Sequence, residues 1–384
     1  MIMTIAVNTR FLLPNKLEGI GWFTYEVVKR LVERHPEHRF IFLFDRPFDE
    51  QFLFANNVEP LVVFPPARHP LLWYAWFEWG VPKALRNVKA DVFLSPDSYC
   101  SLRTKVPTVL VTHDIAHVHF PEQIPWLVRH YYDFYVPQFL NRAERIVTVS
   151  EFSKADMVQH YGVPSGKISV ACNGSRGHFR PIEKATQHAI RAKYADNQEY
   201  FFYLGALHPR KNLERLIQAF DQFKQQSGAP TKLLIGGRFA WQTGSIKATY
   251  DEAKHSKDIH FLGYIADDEL PLVMGSAKAL TYVSLFEGFG MPILEAMYAE
   301  VPVISSAGSS MGEVAGAAGL LVDPTSVEAI AKAMLAIQED IALGATLVEK
   351  GREQRQQFTW ERAADVVERE VLGVRDRSNS GYSA

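Results

Sequence analysis

A chain of 384 residues is long for a single core and sets an expectation of two domains. Its 41 basic and 43 acidic side chains give a net charge of -2, without the basic excess that a nucleic-acid partner demands. Hydrophobic residues make up 47% of the chain, the composition of a globular protein rather than of a disordered segment.

The first ten residues lack the charged region and apolar core of a signal peptide and read as a first strand, 4–8. Short apolar runs follow at 40–44, 61–64, 92–94, 108–112, 145–149 and 168–170, with helical patterns over 21–33, 71–85, 125–141 and 153–160. Short β-branched runs alternating with helices predict an α/β fold, a parallel sheet wound on both faces. Residues 173–197 carry Gly174, Gly177 and Pro181 among many polar groups and read as an interdomain linker, with the boundary between 173 and 185. The cycle then restarts, with strands at 200–204, 232–235, 259–261, 279–282, 301–304 and 319–321 and a helix over 212–226. No uncharged run approaches the roughly 18 residues that span a bilayer. Cys100 and Cys172 show neither a zinc-ligand nor a disulfide spacing, which fits reduced thiols. The expectation is a cytoplasmic protein, soluble or peripheral at the inner face of the cytoplasmic membrane.

In doubly wound sheets, ligands bind beyond the carboxyl ends of the strands, so the strand-end loops carry the chemistry. The first holds Gly19 and Gly21 ahead of a helix expected from Trp22. These glycines either let backbone N–H groups approach an anion or merely make the turn, and the full GxGxxG fingerprint is absent. After the strand at 200–204, Arg210 and Lys211 precede Asn212, a candidate helix N-cap. Two cations beside a positive helix end repel each other unless an anion or a carboxylate sits between them. A diphosphate would supply that charge; solvated surface cations are the alternative. The stretch Leu285-Phe-Glu287-Gly288-Phe289-Gly290-Met-Pro292-Ile-Leu-Glu295 puts Glu287 in a loop and Glu295 one turn into a helix that Pro292 can start. Both acids could accept bonds from ligand hydroxyls, or serve as a loop charge and a capping acid. His113 and Asp114 end another strand, where a histidine is either structural or a substrate contact. Ser150 or Ser153 reads as a helix cap. Trp73, Trp76 and Trp79 make the segment 71–79 strongly aromatic, read as a core helix; exposed, it would suit a membrane interface and a lipid-linked acceptor.

Together, Gly19/Gly21, Thr112-His113-Asp114, Val149-Ser150-Glu151-Phe152-Ser153, Arg210-Lys211-Asn212 and the Glu287/Glu295 pair resemble the retaining GT-B glycosyltransferases of family 4, in order and spacing from about residue 3 to 372. The resemblance implies two doubly wound, Rossmann-like domains facing across a cleft. An acceptor-binding domain would occupy 1–175 and a nucleotide-sugar-binding domain 176–358. A helix over 359–374 would pack back toward the first domain, before a disordered tail at 375–384. It further implies that Arg210 and Lys211 neutralise the donor diphosphate, with backbone N–H groups at Gly19 and Gly21, and that Glu295 takes the ribose hydroxyls. Glu287, with Gly288, Phe289 and Gly290, would hold the transferred sugar, and His113 would meet that sugar near its anomeric carbon. No cofactor and no metal are implied; the partners are a nucleotide-diphosphate sugar of mannose, glucose or rhamnose type and a glycan or lipid-linked acceptor, in cell-surface polysaccharide synthesis. Arg238–Thr243 and Tyr264–Asp268 are candidate base readers. Two stretches depart from the family pattern: Asn173-Gly174 continues into Ser175-Arg176 rather than an apolar residue, and the middle of 305–314 is atypical. Rival readings are a nucleotide-sugar epimerase or hydrolase and a non-catalytic sugar-nucleotide-binding subunit. A nicotinamide oxidoreductase is disfavoured by the missing glycine fingerprint.

Overall fold

The short apolar runs become strands, and the inner ones are buried on both faces, as parallel sheets covered by helices require, whereas the edge runs 58–62 and 319–322 stay more open. The structure, a computed structural model, describes residues 2–14, 17–238 and 244–380, except for the side chains of 375–380. The chain divides into two units, Met1–Asn173 with Trp360–Ala384, and Gly174–Thr359.

The first unit is built on a seven-stranded sheet of order β3-β2-β1-β4-β5-β6-β7. Its strands are β1 (Thr4–Asn8), β2 (Arg39–Phe44), β3 (Val58–Val62), β4 (Val92–Ser95), β5 (Thr108–Val111), β6 (Arg145–Thr148) and β7 (Ile168–Val170), all paired in parallel. The edge strand β3 lies three residues before the run expected at 61–64. Pro60 reads as a breaker in sequence, but an edge strand tolerates a missing N–H on its open side. The aromatic segment is not one helix. It runs as a helix over Pro70–Ala75, a π-helical turn over Trp76–Gly80 and a helix over Val81–Val88, with Pro82 in the first turn of the last. The helix Trp360–Ser380 belongs to this unit and runs past the expected end at 374; residues 381–384 lie outside the described residues. Its Glu370 accepts bonds from Arg145 Nε at 2.6 Å and Ser169 Oγ at 2.7 Å, tying it to β6 and β7.

The second unit has a six-stranded parallel sheet of order β10-β9-β8-β11-β12-β13. Its strands are β8 (Tyr200–Leu204), β9 (Lys232–Gly236), β10 (Ile259–Gly263), β11 (Ala279–Tyr282), β12 (Val303–Ser306) and β13 (Gly319–Val322). The stretch expected as an interdomain linker holds a helix, Lys184–Tyr194, which buries only Ile190 and so shows almost no apolar period. β12 begins two residues later than expected and ends on buried Ser305 and Ser306, whose hydroxyls donate to the carbonyls of Tyr282 (3.1 Å) and Ser284 (2.6 Å). In both sheets the strand order reverses beside the first strand of the unit, at β1/β4 and β8/β11. Those are the switch points where crevices open beyond the strand ends.

Candidate functional site

The β8/β11 switch point gathers the charged motifs of the second unit. Past the end of β8, Pro209–Lys211 forms a 3-10 turn that leads into the helix Leu213–Ser227. Asn212 stands at the N-cap position in the left-handed region (φ 63°), but its side chain does not cap the helix. Its amide donates instead to the carbonyls of Val283 (2.9 Å) and Pro324 (2.7 Å), stapling three loops. The Leu285 N–H bonds the Arg210 carbonyl at 2.9 Å, so the two motif loops are tied together.

Glu287 is the carboxylate between the cations. Lys211 Nζ donates to Glu287 Oε1, Tyr282 Oη donates to the same oxygen at 2.8 Å, and Arg210 Nη1 lies 3.7 Å from Oε2. Burial alone would raise the Glu287 carboxyl, but the charges of Lys211 and Arg210 hold it below the usual carboxylate range. Burial, and then Glu287, push the Tyr282 phenol well above its ordinary value, so it remains a donor. Arg210 also donates to the Phe286 carbonyl at 3.2 Å, and Ser310 Oγ donates to the Glu287 carbonyl at 2.7 Å. Gly290 caps the helix Met291–Tyr298 at φ 100°, a conformation that L side chains rarely adopt.

Glu295, 1% exposed, lies one turn into that helix. Its Oε1 accepts from Arg176 Nε at 2.7 Å, while Oε2 finds no hydrogen-bond partner among the described residues. Arg176 stacks on Phe179 at 5.2 Å and reaches Asp267 at 3.6 Å. Sequence reading met Arg176 only as a departure from the family pattern, because its partner is 119 positions away. Tyr282 and Ser310 were likewise missed; a tyrosine ending a strand and a serine starting a helix carry no local mark of their target. Of the candidate base readers, Arg238 lies over the Tyr264 ring at 5.0 Å, and 239–243 fall outside the described residues.

In the first unit, the helix Gly19–Arg34 starts three residues before the expected position, so Gly19 and Gly21 sit in its first turn. A Cβ on Gly21 would meet the Phe11 carbonyl oxygen at 2.9 Å, so close loop packing alone demands a glycine there. His113, at the end of β5, donates from Nε2 to the Pro96 carbonyl at 2.9 Å, which leaves Nδ1 as the acceptor. Its ring meets Phe23 edge-on at 5.1 Å, and Ser153 Oγ donates to its carbonyl at 3.2 Å. Burial pushes the His113 imidazole down, so it is neutral near pH 7. Ser150 caps the helix Glu151–Tyr161 by accepting from the Ser153 N–H. At the β1/β4 switch point, sequence reading missed a buried Arg10 that pairs with Asp97 beneath the Tyr99 ring (4.5 Å); its partners are internal, and it clamps the strand ends.

Residues 17–175 match the family described as Glycosyltransferase Family 4, and residues 186–354 the family described as Glycosyl transferases group 1. O-antigen chain mannosyltransferase B of Escherichia coli is 31% identical over 357 residues, covering 90% of this chain and 93% of that protein. The chain belongs to the family 4 glycosyltransferases. A second relative of this glycosyltransferase, O-antigen chain mannosyltransferase RfbU of Salmonella typhimurium, is 28% identical over 66% of the chain and 67% of its own length. Among solved structures, Anabaena HepE in complex with UDP and glucose superposes with a TM-score of 0.76 at 18% identity, covering 97% of this chain and 100% of that one. WaaG, a glycosyltransferase involved in lipopolysaccharide biosynthesis, gives 0.75 at 16% identity over 96% and 100%. At these identities the likeness concerns the fold, which is GT-B.

Proposed function

We propose that this glycosyltransferase moves mannose from a nucleotide-diphosphate donor onto a glycan or lipid-linked glycan in cell-surface polysaccharide assembly, retaining the anomeric configuration. The observation that carries the donor half is the cluster of two cations and one buried carboxylate beyond the ends of β8 and β11. Mannose is preferred over glucose or rhamnose because relatives from two organisms are named as mannosyltransferases.

In this reading the donor diphosphate takes over Lys211 and Arg210. That exchange releases Glu287 Oε1 from Lys211, so the carboxylate can accept from sugar hydroxyls beside the backbone of Gly288, Phe289 and Gly290. The second oxygen of Glu295, buried without a hydrogen-bond partner among the described residues, suits a ribose hydroxyl, since leaving a buried acceptor unsatisfied costs about 1–3 kcal/mol. His113, as a neutral imidazole, is assigned to a hydroxyl of the transferred sugar. As the bond from C1 to the diphosphate oxygen breaks, the acceptor oxygen bonds C1 on the same face. Its proton passes to the departing diphosphate, whose growing charge the two cations stabilise without a metal.

A lipid-linked acceptor is supported by the aromatic segment, which divides its side chains. Trp76 and Phe77 are core, whereas Leu71 is 69% exposed and Trp79 55%, with Phe134 of the same unit at 62%. Phe134 packs on Tyr135, Tyr135 on Tyr74 and Tyr74 on Trp79, and Arg103 lies over Trp79 at 5.6 Å. Such an apolar, aromatic face with Arg103 beside it suits a membrane surface. No helix of the described residues is long and apolar enough to cross one.

The test is transfer itself. GDP-mannose, UDP-glucose and a nucleotide-linked rhamnose are each offered with polyprenyl-linked glycans, and products are weighed by mass spectrometry. The proposal expects one added hexose from the mannose donor alone. Transfer from another donor would replace mannose, and release of free sugar without transfer would favour a hydrolase.

A further inference from the structure

Six residues past His113, the first unit brings together a group that the transfer chemistry does not use. Asp156 and His160 lie one turn apart on the helix Glu151–Tyr161, and His119 ends the short helix Ala116–His119 beside them. His119 Nε2 lies 2.9 Å from both oxygens of Asp156, and His160 Nε2 lies 3.4 Å from Oδ1. All three ligand atoms fall within 4.8 Å of one another. Asp156 is buried, while both imidazoles keep about a third of their surface open, which leaves an entry path.

We propose that His119, Asp156 and His160 form a binding site for a divalent transition-metal ion of the zinc class. A tetrahedral ion with bonds of about 2.0–2.1 Å holds its ligand atoms roughly 3.3 Å apart, close to the 2.9 and 3.4 Å that separate the two imidazole nitrogens from Asp156. Two imidazoles and one carboxylate suit zinc, cobalt or nickel and not magnesium or calcium, which prefer oxygen ligands alone. Three protein ligands leave a fourth position for water. The other histidine–carboxylate group among the described residues, His35, Glu37 and His38, is less suited. Its two rings stack at 5.3 Å, and the second nitrogen of His35 is drawn to Glu368 at 3.1 Å.

The placement gives the ion a purpose. Ser153, at the start of the same helix, already holds the carbonyl of His113. A metal at His119 would fasten the far end of the segment 113–119 to that helix, fixing the loop at both ends. The ion is a positioning element, separate from the diphosphate cations Arg210 and Lys211.

The test uses tag-free protein stripped with a chelator and titrated with Zn²⁺ and Co²⁺, followed by calorimetry and by the visible absorption of four-coordinate cobalt. The expected result is one ion per chain, a raised Tm with Zn²⁺ and no response to Mg²⁺. His160→Gln, at an open surface position, should stay folded and weaken binding about a hundredfold or more, at least what losing an outer-shell partner costs; His119→Gln should do the same. Absence of stoichiometric binding, or binding unchanged in both folded variants, would overturn the proposal. These readouts are independent of the donor and acceptor, so the site stands or falls apart from the transferase reading.

Discussion

Glu287 and Lys211 are each mostly shielded from water, with side chains 9% and 13% exposed, and Lys211 is the charge that lowers the Glu287 carboxyl most. Removing one partner of a buried pair leaves an uncompensated charge and costs about 3–5 kcal/mol. Lys211→Ala and Glu287→Gln should therefore each lower the urea midpoint, and the double variant should lose less than their sum, because both single changes break the same ion pair. Strict additivity would contradict the pairing. A second prediction separates roles by ligand. Glu295→Gln and Arg176→Ala should weaken nucleoside diphosphate and nucleotide sugar alike, by about tenfold or more, the worth of a hydrogen bond to a charged group. His113→Gln should weaken only the nucleotide sugar. Calorimetric titration checks both, and equal losses for all three variants with both ligands would contradict the assignment of ribose and sugar. The two cations, the two acids and His113 were legible because each sits beside its own local punctuation of strand end, glycine or proline. What they touch was not. The carboxylate that the paired cations require turned out to be Glu287, 76 positions from Lys211, and the partner of Glu295 is 119 positions away.

The helix Trp360–Ser380 shows how one element is secured across the chain. Glu370, buried in its middle, accepts from Arg145 and Ser169. Burial pushes its carboxyl up, but Arg145 and Ser169 outweigh that and hold it below the ordinary value of 4.5. A depressed carboxyl contributes stability that is fully present above its unfolded value and is lost as the pH falls through the folded one. Glu370→Ala should thus cost about 3–5 kcal/mol at neutral pH. The gap from the parent should shrink as the pH drops below 4.5, as read by chemical unfolding at a series of pH values. A gap independent of pH would show that packing, not the ion pair, holds the helix. At this scale the strands were nearly all legible, because parallel strands buried on both faces are unbroken apolar runs. The exceptions have local causes. Pro60 disguised an edge strand, buried serines hid the end of β12, and Lys184–Tyr194 carries too few buried residues to show its period.

Across the whole molecule, the restart of the strand–helix cycle at residue 200 foretold a second sheet, whereas the strand orders that create two switch points are long-range pairings that no local pattern encodes. The exposed aromatic face predicts that the protein floats with anionic liposomes and that Trp79→Ser with Phe134→Ser reduces the floated fraction; a protein that stays with the soluble fraction would contradict a membrane-facing role for this face. The central claim, a diphosphate held by Arg210 and Lys211, is tested most directly by thermal unfolding with GDP-, UDP- and ADP-linked sugars in the presence of a chelator. A ligand at 100 times its Kd adds about 2.7 kcal/mol, several degrees in Tm. That rise is expected with the sugar nucleotides of one base only, and its loss in folded Lys211→Ala. Folded parent protein unmoved by every nucleotide sugar and every nucleoside diphosphate, or a rise that Lys211→Ala retains in full, would contradict it.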